Sequence, residues 1–232
     1  KASSPVYIWI EDDHAEIRPA DHLWGQTTGE AQRLIREELG SESIRVAQIG
    51  PAGENRVRYA NITNELAHFN GRNGLGAVMG SKNLRAIAVR GSAKVPVADS
   101  AGVTDATRWV AANMKTHAQA SGLHEMGTPG GISAVNSSGS LPTNNWTTGY
   151  FPNADRISGK FMNETILTDR KGCFACPIRC KRVVEVHNDR FDVDPKYGGP
   201  EYETLGAFGS NLGLDDIELL AKANERCNAL GL

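Results

Sequence analysis

No apolar run in the 232 residues approaches the ~18 that a membrane-spanning helix needs, so a helical span is excluded. Excess charge of one sign is missing too. The 25 Lys and Arg stand against 27 Asp and Glu, a formal net charge of −2, which argues against a surface built for nucleic acid or anionic lipid. Internal repeats and low-complexity tracts are absent. No secretory leader is recognisable, but the sequence starts at Lys1-Ala2-Ser3 without a methionine, so the true N-terminus is expected to lie upstream. What remains is ordinary globular composition, 40% apolar and 22% charged, sufficient for a packed core in one large domain or two small ones. Glycine is plentiful at 25 residues and bunched at 71–80, 127–139 and 198–213, where backbone must turn tightly or approach something closely.

Val6-Tyr7-Ile8-Trp9-Ile10 alternates and is β-rich, Asp12-Asp13-His14 turns, and Ala15 to Arg18 returns, which predicts a hairpin. Thr27-x-x-Glu30 is a capping box opening a helix with Ala31, Leu34, Ile35 and Leu39 on one face and Gly40 closing it. Strands are expected at Ile44 to Ile49 and Leu84 to Val89. Residues 1–97 therefore form a mixed region in which strands dominate, and Val95 to Ser100 is a linker. In 98–232 the period changes. A helix is expected over 104–120, a long aperiodic stretch over Gly122 to Asn145, and a last helix from Asp215, its cap, to Leu230. Ile217, Leu220, Ala221, Asn224 and Cys227 share one stripe of that helix, so Cys227 reads as core rather than as a ligand.

Cys173-x2-Cys176-x3-Cys180 is the sharpest local signal, because three of the four cysteines lie within eight residues and can converge on one metal. An iron–sulfur cluster would need a fourth thiolate from elsewhere, whereas zinc could take Cys173, Cys176, Cys180 and His187. Spacing alone leaves both open. Gly71-Arg72-Asn73-Gly74-Leu75-Gly76 through Lys82 is a glycine-rich loop before a strand, whose exposed amides could cradle a phosphate between Arg72 and Lys82. Gly198-Gly199-Pro200-Glu201-Tyr202-Glu203 sets two carboxylates two residues apart after a rigid turn. Either could act as a general base beside a metal, or both could simply face water.

In this order the three segments resemble the tungsten-containing aldehyde:ferredoxin oxidoreductases. Gly71 to Ile87 is similar to the family's pterin-phosphate segment, Cys173 to Cys180 to its cluster motif, and Gly199-Pro-Glu-Tyr-Glu-Thr-Leu-Gly-Ala-Phe-Gly209 to its metal-side glutamate segment. Ile49-Gly-Pro-Ala-Gly-Glu-Asn55 and Leu141-Pro-Thr-Asn-Asn145 add to the likeness. The resemblance implies an α+β fold: residues 1–97 as the C-terminal part of a β-sheet pterin-binding domain, and 98–232 as part of a mainly α-helical domain carrying the cluster motif.

It implies a [4Fe–4S] cluster on Cys173, Cys176 and Cys180 with a fourth ligand outside the chain. It also implies a tungsten or molybdenum bis-pterin, and magnesium bridging the pterin phosphates. Arg72, Asn73, Gly74, Gly76 and Lys82 would hold the pterin phosphate or its magnesium, and Glu203, with Glu201 as fallback, would be the catalytic carboxylate. Asn228, Gly231 and Leu232 resemble a pterin motif that begins with Asp in the family and with Asn here. Lys222 and Glu225 stand where some members bridge a dimer through iron, so no bridging metal is expected, although a homodimer remains compatible. Aldehyde substrate, ferredoxin as electron carrier and a cytoplasmic setting complete the expectation. Arg179 or Lys181 would tune the cluster by charge.

Overall fold

The computed structural model describes all residues, Lys1–Leu232. They fall into two compact units: Lys1–Val95 with Arg226–Leu232, and Pro96–Glu225.

The first unit is built on one mixed sheet. Its strands are β1 (Val6–Glu11), β2 (His14–Pro19), β3 (Arg45–Gln48), β4 (Ile62–Asn64), β5 (His68–Asn70) and β6 (Leu84–Arg90). They lie in the order β2-β1-β6-β3-β4-β5, parallel at β1–β6 and antiparallel elsewhere. The expected hairpin is β1–β2, reversed at Asp12, whose φ of 48° is one that Asp tolerates better than most residues. Helix α1 (Thr28–Leu39) starts where the Thr27 hydroxyl accepts the Glu30 N–H and ends at Gly40, left-handed at φ 70°. Its buried Ala31 and Ile35 pack with Ala86 and Ala88 of β6 and with Tyr7 and Trp9 of β1. Two short helices complete the unit, α2 (Pro51–Glu54) after β3 and α3 (Leu75–Ser81) between β5 and β6. The second of these corrects the glycine-rich loop: Leu75 to Ser81 is a helix, because its glycines let that turn press against neighbouring backbone.

The second unit holds α4 (Ser100–Asn113), α5 (Ala118–Met126), α6 (Ile132–Ser137), α7 (Gly159–Thr165), the hairpins β7 (Leu167–Lys171)–β8 (Lys181–Val184) and β9 (Val186–His187)–β10 (Asp192–Val193), and the single turn α8 (Tyr202–Thr204). Its core gathers Ile132, Leu141, Ile157, Met162, Leu205 and Leu220. Helix α9 (Ile217–Leu230) begins here, and its last turn clusters with the first unit.

Three sequence expectations change in the second unit. The helix expected over 104–120 is two helices parted at Lys115–His117, where the His117 ring accepts the Ala120 N–H and caps α5. The stretch 122–145 is not a loop: α5 ends at Gly127 (φ 63°) and Pro129 opens a 3-10 turn into α6. Short helices broken by glycine and proline lack the length that makes a 3.6 period visible. The cap of α9 is Asp216 rather than Asp215: Asp216 accepts the Glu218 and Leu219 N–H groups, while Asp215 bonds Asn153.

Candidate functional site

In the first unit the glycines of the phosphate segment serve close packing. A Cβ on Gly74 would lie 2.1 Å from the Arg58 carbonyl oxygen, one on Gly76 2.3 Å from that of Asn61, and one on Gly80 1.9 Å from that of Gly53. The Gly76 N–H donates to the Ala60 carbonyl at 2.9 Å, so that amide is engaged and is not a free phosphate donor. Asn73 and Gly74 are both left-handed (φ 69° and 64°), and Arg72, Asn73 and Lys82 are exposed. Arg72 precedes α3 and Lys82 follows it, about 10 Å of helix at 1.5 Å per residue. The two cations therefore stand at opposite ends rather than around one anion.

The C-terminal segment docks on the same region. Gly231 (φ 79°) sits against Gly50, and a Cβ on Gly231 would lie 2.6 Å from the Gly50 nitrogen. The Asn228 carbonyl accepts the Thr28 hydroxyl at 2.8 Å. Buried Asn61 joins the two segments: its N–H donates to the Gly231 carbonyl (2.9 Å), its Nδ2 to the Leu232 carbonyl (2.7 Å), and its own carbonyl faces Gly76. Sequence reasoning missed Asn61, since one Asn before a three-residue strand carries no motif.

It also missed a buried ion pair. Arg85, on β6, is fully buried, with Nε 2.8 Å from Glu54 Oε1. The guanidinium donates to the carbonyls of Leu23 (3.2 Å) and Gln26 (3.0 Å) and to Gln48 Oε1 (3.1 Å), while Glu54 Oε2 accepts the Gly25 N–H at 2.8 Å. Burial dominates both groups, raising the Glu54 carboxyl above its ordinary value and pushing Arg85 down to about 10. The available signal was charge inside the otherwise apolar strand Leu84 to Val89.

In the second unit the cysteine motif is the tip of the β7–β8 hairpin, residues 172–180. All four cysteines of the chain are free thiols. The Cys176 N–H closes a turn on the Cys173 carbonyl (3.0 Å), and Ala175 and Arg179 are left-handed, a conformation that folds nine residues back on themselves. Three soft thiols on one short loop, none in a disulfide, are a donor set that fits an iron–sulfur cluster. Their side chains do not converge: no three His, Cys, Asp or Glu groups lie close enough to hold an ion. Burial, with the nearby Glu201 carboxylate, raises the Cys180 thiol above its usual range, so metal binding there would release a proton.

His187 is not available as a zinc ligand, because its Nε2 meets Glu185 at 3.0 Å and its Nδ1 meets Asp192 at 2.5 Å. Cys227 is half-buried with a thiol raised by burial, and it clusters with the first unit. Arg179 and Lys181, expected to tune the cluster, each have a carboxylate partner. Arg179 pairs with Asp169 (3.4 Å) and Lys181 with Glu201.

That last pair links the cysteine hairpin to the carboxylate segment. Glu201 and Glu203 both line a cavity of about 490 Å³ together with Leu123, Met126, Gly127 and Thr128. The Tyr202 N–H donates to the Thr128 hydroxyl at 3.0 Å, which fixes the turn between the two glutamates. Glu201 is held by Lys181, whereas Glu203 is exposed and has no such cation partner. Of the two, Glu203 is therefore the one not engaged by a cation.

Residues 1–91 match the family model for the aldehyde ferredoxin oxidoreductase N-terminal domain, and residues 105–232 match the model for domains 2 and 3 of the same enzyme. The chain is 44% identical to the tungsten-containing aldehyde ferredoxin oxidoreductase of Pyrococcus furiosus and 42% identical to that of Thermococcus kodakarensis. Both alignments cover the whole chain but 38% of the relative. Among solved structures, the active-site complex BamBC of benzoyl coenzyme A reductase with 1,5-dienoyl-CoA superimposes with a TM-score of 0.77 over all of this chain and 36% of that one. At 22% identity this likeness bears on the fold alone. Matched along its length by both models, the chain belongs to the aldehyde ferredoxin oxidoreductase family.

Proposed function

We propose that the protein containing this chain oxidises aldehydes to carboxylic acids and passes the electrons to a ferredoxin-type carrier in the cytoplasm. The observation that supports this best is the tie between the cysteine hairpin and the glutamate-lined cavity through the Lys181–Glu201 pair. In this reading 1–97 belongs to a pterin-binding domain and 98–232 to the cluster-bearing one. A tungsten or molybdenum bis-pterin with magnesium would supply two-electron chemistry when bound, and a [4Fe–4S] cluster held by the cysteine loop would supply one-electron chemistry.

The chain's own residues supply the rest. Arg72, exposed ahead of α3, would bind pterin phosphate, and the Asn73 carbonyl would reach its magnesium. Lys82, at the far end of α3, would serve a second anionic group. Gly74 and Gly76 bring α3 against 58–61, Gly231 and Leu232 close the same region through Asn61, and the Asn228 carbonyl accepts the Thr28 hydroxyl. Cys173, Cys176 and Cys180 would bind the cluster, with a fourth ligand from the rest of the protein. Glu203 would take a proton from the attacking water, and Glu201 would anchor Lys181.

The test is turnover by the intact enzyme. Adding water to an aldehyde and removing two electrons and two protons yields the carboxylic acid. Wild type is expected to reduce a viologen dye with one aldehyde consumed per two electrons. Glu203→Gln is expected to retain its metals and lose at least about 100-fold in kcat, the range for a general base. An aldehyde-independent or absent dye reduction in the metal-replete wild type would reject the reading.

A further inference from the structure

We propose that Arg182 is the positioning residue of the cysteine hairpin, joining the loop that carries Cys180 to the end of the helix that lines the glutamate cavity. The inference rests on the reading of this loop as a cluster site.

Arg182 lies on β8, two residues after Cys180, and is 1% exposed. A buried guanidinium usually has a carboxylate opposite it. This one is engaged by main-chain carbonyls instead. Nε donates to Cys180 at 3.1 Å, Nη1 to Glu125 at 2.9 Å, and Nη2 to His124 at 2.9 Å and Arg179 at 3.1 Å.

The four acceptors divide into two pairs. Arg179 and Cys180 belong to the cysteine loop. His124 and Glu125 are in the last turn of α5, where carbonyls have no partner within the helix and carry the negative end of its dipole. A planar fork with five N–H groups can hold both pairs at once, which an ammonium cannot.

Two further contacts bear on the same junction. The His124 Nδ1 lies 2.7 Å from the Ile178 carbonyl, a second tie between α5 and the loop. Gly127, directly after α5, has left-handed φ, and a Cβ there would fall 2.8 Å from the Cys180 carbonyl oxygen and 2.9 Å from Arg182 Nε. Helix α5 contributes Leu123 and Met126 to the cavity that holds Glu201 and Glu203. One side chain thereby sets the carbonyl of a cysteine and the wall of the carboxylate cavity. Arg179 and Lys181, the nearer charges in sequence, have carboxylate partners and leave this task to Arg182.

The test compares Arg182→Met and Arg182→Lys in the intact protein by hydrogen–deuterium exchange over 173–180 and by redox titration of the cluster. Both variants lose the fork, so exchange over 173–180 and 123–127 is expected to rise at least tenfold while the β1–β6 sheet stays unchanged. The midpoint potential is expected to fall in Arg182→Met, which removes a buried positive charge, and to return towards wild type in Arg182→Lys. Unchanged exchange in Arg182→Lys overturns the proposal even if Arg182→Met does not fold, and an unchanged potential in a folded Arg182→Met also overturns it. Because exchange is read without reference to a cluster, an iron-free wild type whose variants show the same rise would reject the cluster reading and leave the positioning role intact.

Discussion

Replacing Arg85 with Met should destabilise the first unit locally and by a pH-dependent amount. The substitution keeps an unbranched apolar stem but removes the guanidinium that faces Glu54, along with donors to Leu23, Gln26 and Gln48. Breaking a buried ion pair from one side costs about 3–5 kcal/mol, because the remaining charge is stranded. At 1.36 kcal/mol per factor of ten, that equals roughly a 100- to 5,000-fold loss of amide protection. Hydrogen–deuterium exchange of residues 23–26 and 48–54 in the intact protein reads it directly. The sign with pH follows from Glu54. Burial already raises its carboxyl above the ordinary value, and removing Arg85 raises it further. A carboxyl that holds its proton more tightly when folded contributes full stability below the ordinary carboxylate range. That stability is lost as pH rises through the raised value. The Arg85→Met defect should therefore be smaller at pH 5 than at pH 8. A defect under about 1 kcal/mol, or one equal at both pH values, would refute the assignment of a stranded charge.

Three shorter predictions follow from the packing. Gly80→Ala, whose Cβ would sit 1.9 Å from the Gly53 carbonyl oxygen, should force α2 and α3 apart and cost at least about 1–3 kcal/mol, seen as a lower Tm. Cys227→Ala should leave iron content unchanged and cost about 1 kcal/mol, since this half-buried thiol acts as a small apolar group. His187→Ala should leave metal content unchanged, because both ring nitrogens already face carboxylates that raise its pKa; loss of a bound metal would revive the zinc site.

Local signals in the sequence were read reliably where one residue fixes one contact. Thr27 and Gly40 bound α1 because a hydroxyl cap and a left-handed glycine act within a single turn. The Asp12 turn aligned β1 with β2 for the same reason. Readings failed where glycine had two physical uses. The run from Gly71 suggested exposed amides, yet Gly74, Gly76 and Gly80 lie against the backbone of Arg58, Asn61 and Gly53, and the Gly76 amide is bonded to Ala60. Asp216 displaced Asp215 as the cap of α9 because adjacent acids are equivalent in sequence and differ only in direction.

The candidate sites divide in the same way. Three cysteines in eight residues mark a loop by spacing alone, whereas Arg182, Asn61 and Arg85 act through partners 57, 171 and 31 positions away. No local pattern encodes such distances. Glu201 and Glu203 were paired by sequence, and only the contact with Lys181 distinguishes their roles.

The proposed function requires that Cys173, Cys176 and Cys180 hold an iron–sulfur cluster in a protein that also carries a pterin-bound heavy metal. It is tested most directly by elemental analysis of the intact, anaerobically purified protein alongside its Cys180→Ser variant. The account predicts about four iron per chain with tungsten or molybdenum in the wild type, and loss of the iron in the variant. Zinc near one per chain without iron or a heavy metal, or a Cys180→Ser protein that keeps its full iron, would contradict it.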